Sequence, residues 1–236
     1  MTSNFYVSKF YLNKHFSNQS TGIMDKTIKN NSEKRQPKVS GRTKLANALR
    51  QLLAQKDFSS ITTAEISRTS GVNESLIYRY FGDKRGLLHA VLDEYLESFV
   101  EQVDWGMKGI AGAKNKLRKY IWSTIYFYDQ DRIFSKILLL EVRNYPGYFS
   151  SETYGIVKQY TNLMLQIIEE GIKSGEIRKD LDPRSVRQIL LGAIEHLVLP
   201  AVINDGPLDP DTITEQFCRL LFEGIERRGE NENFGV

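Results

Sequence analysis

From Pro37 onward the apolar residues of this chain recur at three- and four-residue spacing, and no stretch alternates as a half-buried strand would. That period confines the fold to packed helices. Leu45, Leu49, Leu52 and Leu53 fall at i, i+4, i+7 and i+8, which predicts a first helix over residues 42–56 with one apolar face. Thr62 and Glu65 form a T-x-x-E capping box, so a second helix is expected from Thr63 to Ser70, closed by a tight turn at Gly71. Asn73 suits the N-cap of a third helix over 74–80. Gly82 and Asp83 then break and recap the chain before a longer fourth helix with Leu87, Leu88, Val91, Leu92 and Tyr95 inward. The run WGMKGIAG, 105–112, reads as a glycine-punctuated loop. Further helices are expected over 113–128, 132–144, 151–174, 183–203 and 210–228, with NYPGYF at 144–149 as a turn and Asp182-Pro183 and Asp209-Pro210 as cap-plus-proline starts. The expected fold class is all-α, with about nine helices.

The 236 residues, 41% hydrophobic and 26% charged, suffice for one large domain or a small one joined to a larger. The net charge of +3 is unevenly spread: residues 24–88 carry 13 Lys+Arg against 6 Asp+Glu, and residues 89–236 carry 17 against 23. A basic segment joined to an acidic one suits a polyanionic partner for the first alone; a chance scatter of solvated charge is the alternative. The single cysteine, Cys218, excludes an internal disulfide and a multi-cysteine zinc site, and its apolar surroundings make it a small core residue.

The most apolar run, Ile189–Ile203, is 15 residues long and holds Glu195, His196 and Pro200, short of the ~20 a membrane span needs. The N-terminus lacks the pattern of a signal peptide, so a cytoplasmic protein with no membrane partner is expected. Three scattered histidines, His15, His89 and His196, with no H-E-x-x-H, G-x-S-x-G or glycine-rich phosphate loop, predict neither an enzyme nor a metal or cofactor site. Residues 1–37 keep no helical period, end rich in Asn, Ser and Lys, and are expected to be disordered; a DNA-contacting arm is the other reading, and Met24 offers a second start.

Two short helices joined at Gly71 and braced by a longer first one describe a helix-turn-helix. Ile66, Val72, Ile77 and Phe81 would form its inward side. Its second helix can enter the major groove of double-stranded DNA. On that reading Asn73, Glu74 and Ser75 at the start of the helix, and Tyr78, Arg79 and Tyr80 on it, face bases or phosphates. Thr62, with the amides that follow it, lies near a phosphate, and Lys84 contributes a further phosphate contact.

The stretch FSSITTAEISRTSGVNESLIYRYFGDKRGLL, Phe58 to Leu88, resembles the tetracycline-repressor (TetR) family of bacterial regulators. Phe58, Thr62, Ile66, Gly71, Val72, Tyr78, Phe81, Lys84 and Leu87 stand at the family's pattern positions. Ser67 and Ser70 replace the usual small alanines, and Ser75-Leu76 replaces a common Gly-Thr, so Leu76 lacks the hydroxyl that would meet a phosphate. The resemblance implies a DNA-binding domain at 38–88, a ligand-binding and dimerisation domain at 89–228 and a tail at 229–236. It implies a homodimer through the last two helices, a palindromic operator, and repression relieved by a small effector.

In the C-terminal half, LLLEVRNYPGYF and IIEEGIKSGEIRKDLDPRSVRQILLGAIEHLVLPAVIND are similar to the subgroup that represses fatty-acid degradation in response to long-chain acyl-CoA. That resemblance implies an apolar tunnel lined by Trp122, Ile125, Tyr126, Tyr160, Met164 and Leu197, with Arg143 near its mouth; core packing is the alternative for each. Glu195 and His196 break an otherwise apolar helix, and His196 is either a hydrogen-bonded core histidine or a holder of a ligand polar group. Two further functions stay open: the same fold controlling efflux or another pathway through a different hydrophobic effector, and a DNA-bound adaptor for a protein partner.

Overall fold

The computed structural model describes residues 39–224; the segment 1–37 and the tail 229–236 lie outside the described residues. Among the described residues there are nine α-helices and no strand. The first, α1, spans Gly41–Leu53 and buries Leu45, Ala48, Leu49, Leu52 and Leu53. A 3-10 turn at Phe58–Ser60 leads to α2, Thr63–Ser70, whose capping box is complete: Thr62 Oγ1 accepts from Glu65 N at 3.2 Å and Glu65 Oε2 accepts from Thr62 N at 3.1 Å. Gly71, at φ 65°, ends α2 in a left-handed conformation that few other residues adopt cheaply. Then α3 runs Ser75–Phe81, with Asn73 Oδ1 accepting from the Ser75 amide at 2.9 Å as a cap should.

The next helix, α4, is Lys84–Met107, and it departs from expectation. Trp105, Gly106 and Met107 belong to the helix and not to a loop, because Val103 and Met107, four residues apart, are both buried and hold the last turn closed against the pull of Gly106. The helix also runs unbroken through 88 and 89, so no linker separates the two expected domains. At its start Gly86 lies so close to the Phe81 carbonyl that a Cβ there would strike backbone.

Helix α5 spans Ala113–Gln130; its first amides, Ala113 N and Lys114 N, donate to the Glu176 carboxylate at 3.0 and 3.2 Å. The expected helix 132–144 is instead a short α6, Arg132–Lys136, that widens into a π-helical turn at Ile137–Val142. A 3-10 turn at Tyr148–Ser150 precedes α7, Glu152–Ser174. Helix α8, Pro183–Asn204, and helix α9, Pro210–Glu223, both start on proline with aspartate caps.

The larger body is built by α4 and α5 against α7, with α8 and α9 laid over α5. The 22 residues of α8 are long and apolar enough to cross a membrane by length and composition alone, which the shorter count of its apolar run did not anticipate. Leu190, Ile194, Val198 and Val202 are its buried stripe, while Ile189, Leu197 and Ile203 stay exposed on the far side. Cys218, inward on α9, is fully buried, and burial pushes its thiol pKa up.

Candidate nucleic-acid interface and interior cavity

Around α3 the structure separates what holds the helix from what the helix presents. Ile66 and Ile77 are fully buried, and Val72, Leu76 and Phe81 pack against them. The other side carries Tyr78, 53% exposed, Arg79, exposed, and Tyr80, 40% exposed. Tyr78 and Arg79 have no side-chain partner among the described residues; Tyr80 meets the Phe81 ring edge-on. Tyr78 and Arg79 are thus presented to the outside, while Tyr80 is exposed but leans on Phe81 and the start of α1.

The other expected contacts are partly occupied. Ser75 Oγ donates to Asn73 Oδ1 at 2.7 Å, so the two form a local pair, and Glu74 is half-buried. The Thr62 oxygen serves the capping box, although the residue itself is exposed. Glu65, gripped by Lys56 Nζ at 2.5 Å and by the Thr62 amide, has its carboxyl held below its ordinary range by these partners. Lys84 departs most from the sequence reading. Its Nζ donates to the carbonyls of Phe58 at 3.0 Å and Ile61 at 2.7 Å and sits 4.3 Å from the centre of the Phe58 ring. Two of three N–H bonds are thereby spent on the turn before α2, and burial lowers the ammonium pKa. One exposed cation escaped the sequence reading: Arg42, at the start of α1, lies 5.4 Å from the Phe81 ring and so beside α3. Its position next to Gly41, which approaches Tyr80, Val72 and Leu76, is a tertiary fact that helical spacing does not carry.

The larger body encloses a cavity of about 50 Å³. Leu96, Phe99 and Val100 of α4, Phe127 and Tyr128 of α5, Leu138, and Ile156 and Tyr160 of α7 line it, together with Leu191, Ile194 and Glu195 of α8 and Arg143. Tyr160 is tied in on several sides: its hydroxyl pairs with Thr124 Oγ1 at 2.7 Å, its ring stacks on Tyr120 at 4.5 Å, and Tyr120 donates to its carbonyl at 3.1 Å. Burial drives the Tyr160 and Tyr128 hydroxyl pKa values far up, so both are neutral. Besides the hydroxyls of Thr124, Tyr128, Tyr160 and Thr161, the lining holds one charged pair. Arg143 Nη1 and Nη2 reach Glu195 Oε2 and Oε1 at 2.8 and 2.7 Å, a two-pronged pair whose side chains are 30% and 34% exposed.

Of the expected ligand residues, Arg143, Tyr160 and Glu195 come together on this cavity. Ile125 and Met164 are fully buried core, and neither lines it. Trp122 and Tyr126 stack on each other at 4.7 Å on the outer side of α5, and Trp122 Nε1 donates to Asp211 at 2.7 Å. Trp122 lines a surface groove of about 530 Å³ between α5 and the start of α9 rather than the interior. His196 and Leu197 are exposed on the outer side of α8, because the buried stripe runs through residues 190, 194, 198 and 202, which turns 196 and 197 away from the core. The aromatic wall from α4, above all Phe99, was missed; its only signal was the spacing of Tyr95, Leu96, Phe99 and Val100 beyond the helix-turn-helix.

Two family models match this chain in succession: that of bacterial regulatory proteins, tetR family, over residues 45–91, and that of YsiA-like protein, C-terminal region, over residues 92–224. The chain is 29% identical over 184 residues to the fatty acid metabolism regulator protein of Bacillus subtilis (strain 168), covering 78% of this chain and 95% of that one. It is similar to the solved structure of the transcriptional regulator FadR from Bacillus subtilis in complex with stearoyl-CoA, with a TM-score of 0.70 and 29% identity over 78% of this chain and 99% of that one. With the fatty acid degradation regulator FadR from Bacillus halodurans it shares the fold, at a TM-score of 0.70 and 23% identity, covering 82% of this chain and 100% of that one.

Proposed function

The chain belongs to the tetR family and is a TetR-type transcriptional regulator, and from that premise we propose that it is a dimeric repressor released from a palindromic operator by a long-chain acyl-CoA. The observation that carries the effector is the cavity among α4, α5, α7 and α8, lined mostly by apolar side chains with the Arg143–Glu195 pair among them. An acyl chain suits the apolar lining, and the Arg143 guanidinium suits a carbonyl or phosphate. The similar Bacillus subtilis regulator in complex with stearoyl-CoA supports the same class of ligand. At about 50 Å³ the cavity is well below the ~300–1,000 Å³ of ordinary ligand pockets, so the chain must part its walls to enter. That requirement ties binding to movement. Taking a repressor from 99% to 1% in its DNA-binding state needs roughly 5.5 kcal/mol of differential affinity.

On the DNA side, Tyr78, Arg79 and Tyr80 read the major groove, Thr62 and Asn73 to Ser75 sit at its edge, and Arg42 adds a phosphate contact. The dimer forms through α8 and α9, where Ile189, Leu197, Ile203 and Leu220 expose apolar surface that a second copy would cover. Its work is in the cytoplasm.

The test is calorimetric titration of stearoyl-CoA, free CoA and stearate into the purified protein and into Tyr160→Trp, which adds bulk to the cavity wall. Stearoyl-CoA alone should bind, at one site per chain, and the variant should bind it at least roughly tenfold more weakly. Equal affinity of both proteins would place the ligand elsewhere.

One observation favours a second reading, a DNA-bound adaptor: Phe149, 68% exposed, and Tyr145, 43% exposed, both lie on the turn before α7, and a protein partner would cover them. A protein that binds DNA tightly and ignores every acyl-CoA would support it.

A further inference from the structure

The groove between α5 and the start of α9, about 530 Å³, shares no lining residue with the interior cavity. Its two walls carry opposite charge. Arg118 and Lys119 stand on the α5 side and Asp211 and Glu215 on the α9 side, and among the described residues no ion pair joins them. Lys119 Nζ instead lies 4.2 Å from the centre of the Trp122 ring, whose Nε1 donates to Asp211 Oδ1 at 2.7 Å. Tyr126 stacks on the same ring at 4.7 Å, so the indole is fixed in place between the walls. Thr214 gives a second, independent sign of a ligand. It is 4% exposed and lines the groove, and its Oγ1 is buried with no hydrogen-bond partner among the described residues. A helical threonine can return its hydroxyl to a carbonyl one turn back, and a buried hydroxyl that does not do so is costly unless something else meets it.

We propose that this groove binds a zwitterionic peptide of two or three residues, at a site separate from that of any acyl-CoA. Arg118 and Lys119 take the peptide carboxylate, and Glu215 with Asp211 Oδ2 takes the ammonium. A molecule of one charge would be drawn to one wall and repelled by the other, whereas a dipolar one satisfies both. The size agrees: about 530 Å³ holds roughly 18 water-sized groups at ~30 Å³ each, the heavy-atom count of a short peptide. Ile110 and Trp122 offer apolar contact to a side chain. The Thr214 hydroxyl and Asn115 Oδ1 are left for the peptide link, since Asn115 Nδ2 already donates to the Ala111 carbonyl at 3.0 Å. Dimerisation leaves the groove open, because Leu220, the α9 residue offered to a second copy, lies about 140° around the helix from Glu215. None of this rests on the interior cavity being the effector site.

The experiment follows the Trp122 indole N–H by NMR. The chain has two tryptophans, and Trp105 is 75% exposed, so Trp105→Phe leaves a folded protein with a single indole resonance. The probes are glycyl-leucine, leucyl-leucine and alanyl-phenylalanine, each also as its N-acetyl and its C-amide form, with ADP alongside. At least one free dipeptide should move the resonance to saturation at one site per chain, and acetylation or amidation should weaken it at least roughly tenfold. Arg118→Gln and Glu215→Gln, both at exposed positions, should each weaken the same dipeptide roughly tenfold without lowering the melting temperature. Thr214→Val should weaken it about threefold in a protein at least as stable as the wild type, as the removal of an unmet hydroxyl requires. Saturating stearoyl-CoA should leave dipeptide affinity unchanged. A resonance that no dipeptide moves, derivatives that bind as well as the free dipeptides, or charge variants that bind normally would overturn the proposal. A response to ADP alone would overturn it by giving the groove to a phosphate ligand, and competition from stearoyl-CoA would do so by making the groove part of the acyl-CoA site.

Discussion

The ammonium of Lys84 donates to the backbone carbonyl of Ile61 across 2.7 Å, tying the first residue of α4 to the residue before the Thr62 cap. The expected phosphate-binding lysine thus has a part in the fold. Lys84→Met should cost about 1–2 kcal/mol of stability, because the Ile61 carbonyl loses its donor while the apolar stem is kept. Denaturant melts would measure it. A variant as stable as the wild type, with a flatter salt dependence of DNA binding, would return Lys84 to a phosphate role alone.

Arg79 presents the opposite case. It is exposed and without a partner among the described residues, so Arg79→Ala should leave the melting temperature unchanged. Affinity for the selected duplex should fall by about 1–3 kcal/mol, with discrimination relaxed at one base position. Unaltered affinity would move the recognition surface off α3.

Gly86 has no space for a side chain, since an added Cβ would meet the Phe81 carbonyl. Gly86→Ala must therefore shift α4 against α3 and should cost on the order of 2–3 kcal/mol, with DNA affinity falling alongside stability. Thermal unfolding combined with DNA titration would detect it; a variant of normal stability would mean that the junction yields freely.

These three positions show how far the sequence could be read. Gly71, the Thr62–Glu65 box and the Tyr78–Arg79–Tyr80 run are local signals, and the structure places them as helix end, helix start and exposed surface. The Lys84 contacts and the closeness of Gly86 to Phe81 depend on how α4 returns past the turn at Phe58, which no periodicity encodes. The same limit applies to the cavity. Being aromatic or polar in an apolar helix identified Tyr160 and Glu195, but it equally identified Trp122 and His196, which the helix rotation turns outward. Direction around an amphipathic helix is legible only when one stripe is clearly more apolar, and α8 is apolar nearly all round.

Between α4 and α7, Thr153 Oγ1 donates to Asp93 Oδ1 at 2.5 Å, and its oxygen then accepts from His89 Nδ1 at 2.6 Å. Burial raises the Asp93 carboxyl to about 6 from its ordinary 3.8, against the smaller opposing effect of the Thr153 hydrogen bond. A raised folded-state pKa makes this contribution complete below about 3.8 and lost as the pH rises through about 6. Asp93→Asn, which keeps the acceptor for Thr153, should therefore gain on the order of 1 kcal/mol over the wild type at pH 7.5 and little at pH 4.5, after allowance for solvent screening. Urea melts at the two pH values would show it, and a gain that is the same at both would put the burial cost on another group.

The most direct measurement is fluorescence anisotropy of the purified protein on the DNA upstream of its own gene, at fixed salt, with stearoyl-CoA, free CoA or stearate added. Tight binding abolished by stearoyl-CoA alone is the expected result. Binding that survives saturating stearoyl-CoA would contradict the effector, and failure to bind any duplex would contradict the regulator itself.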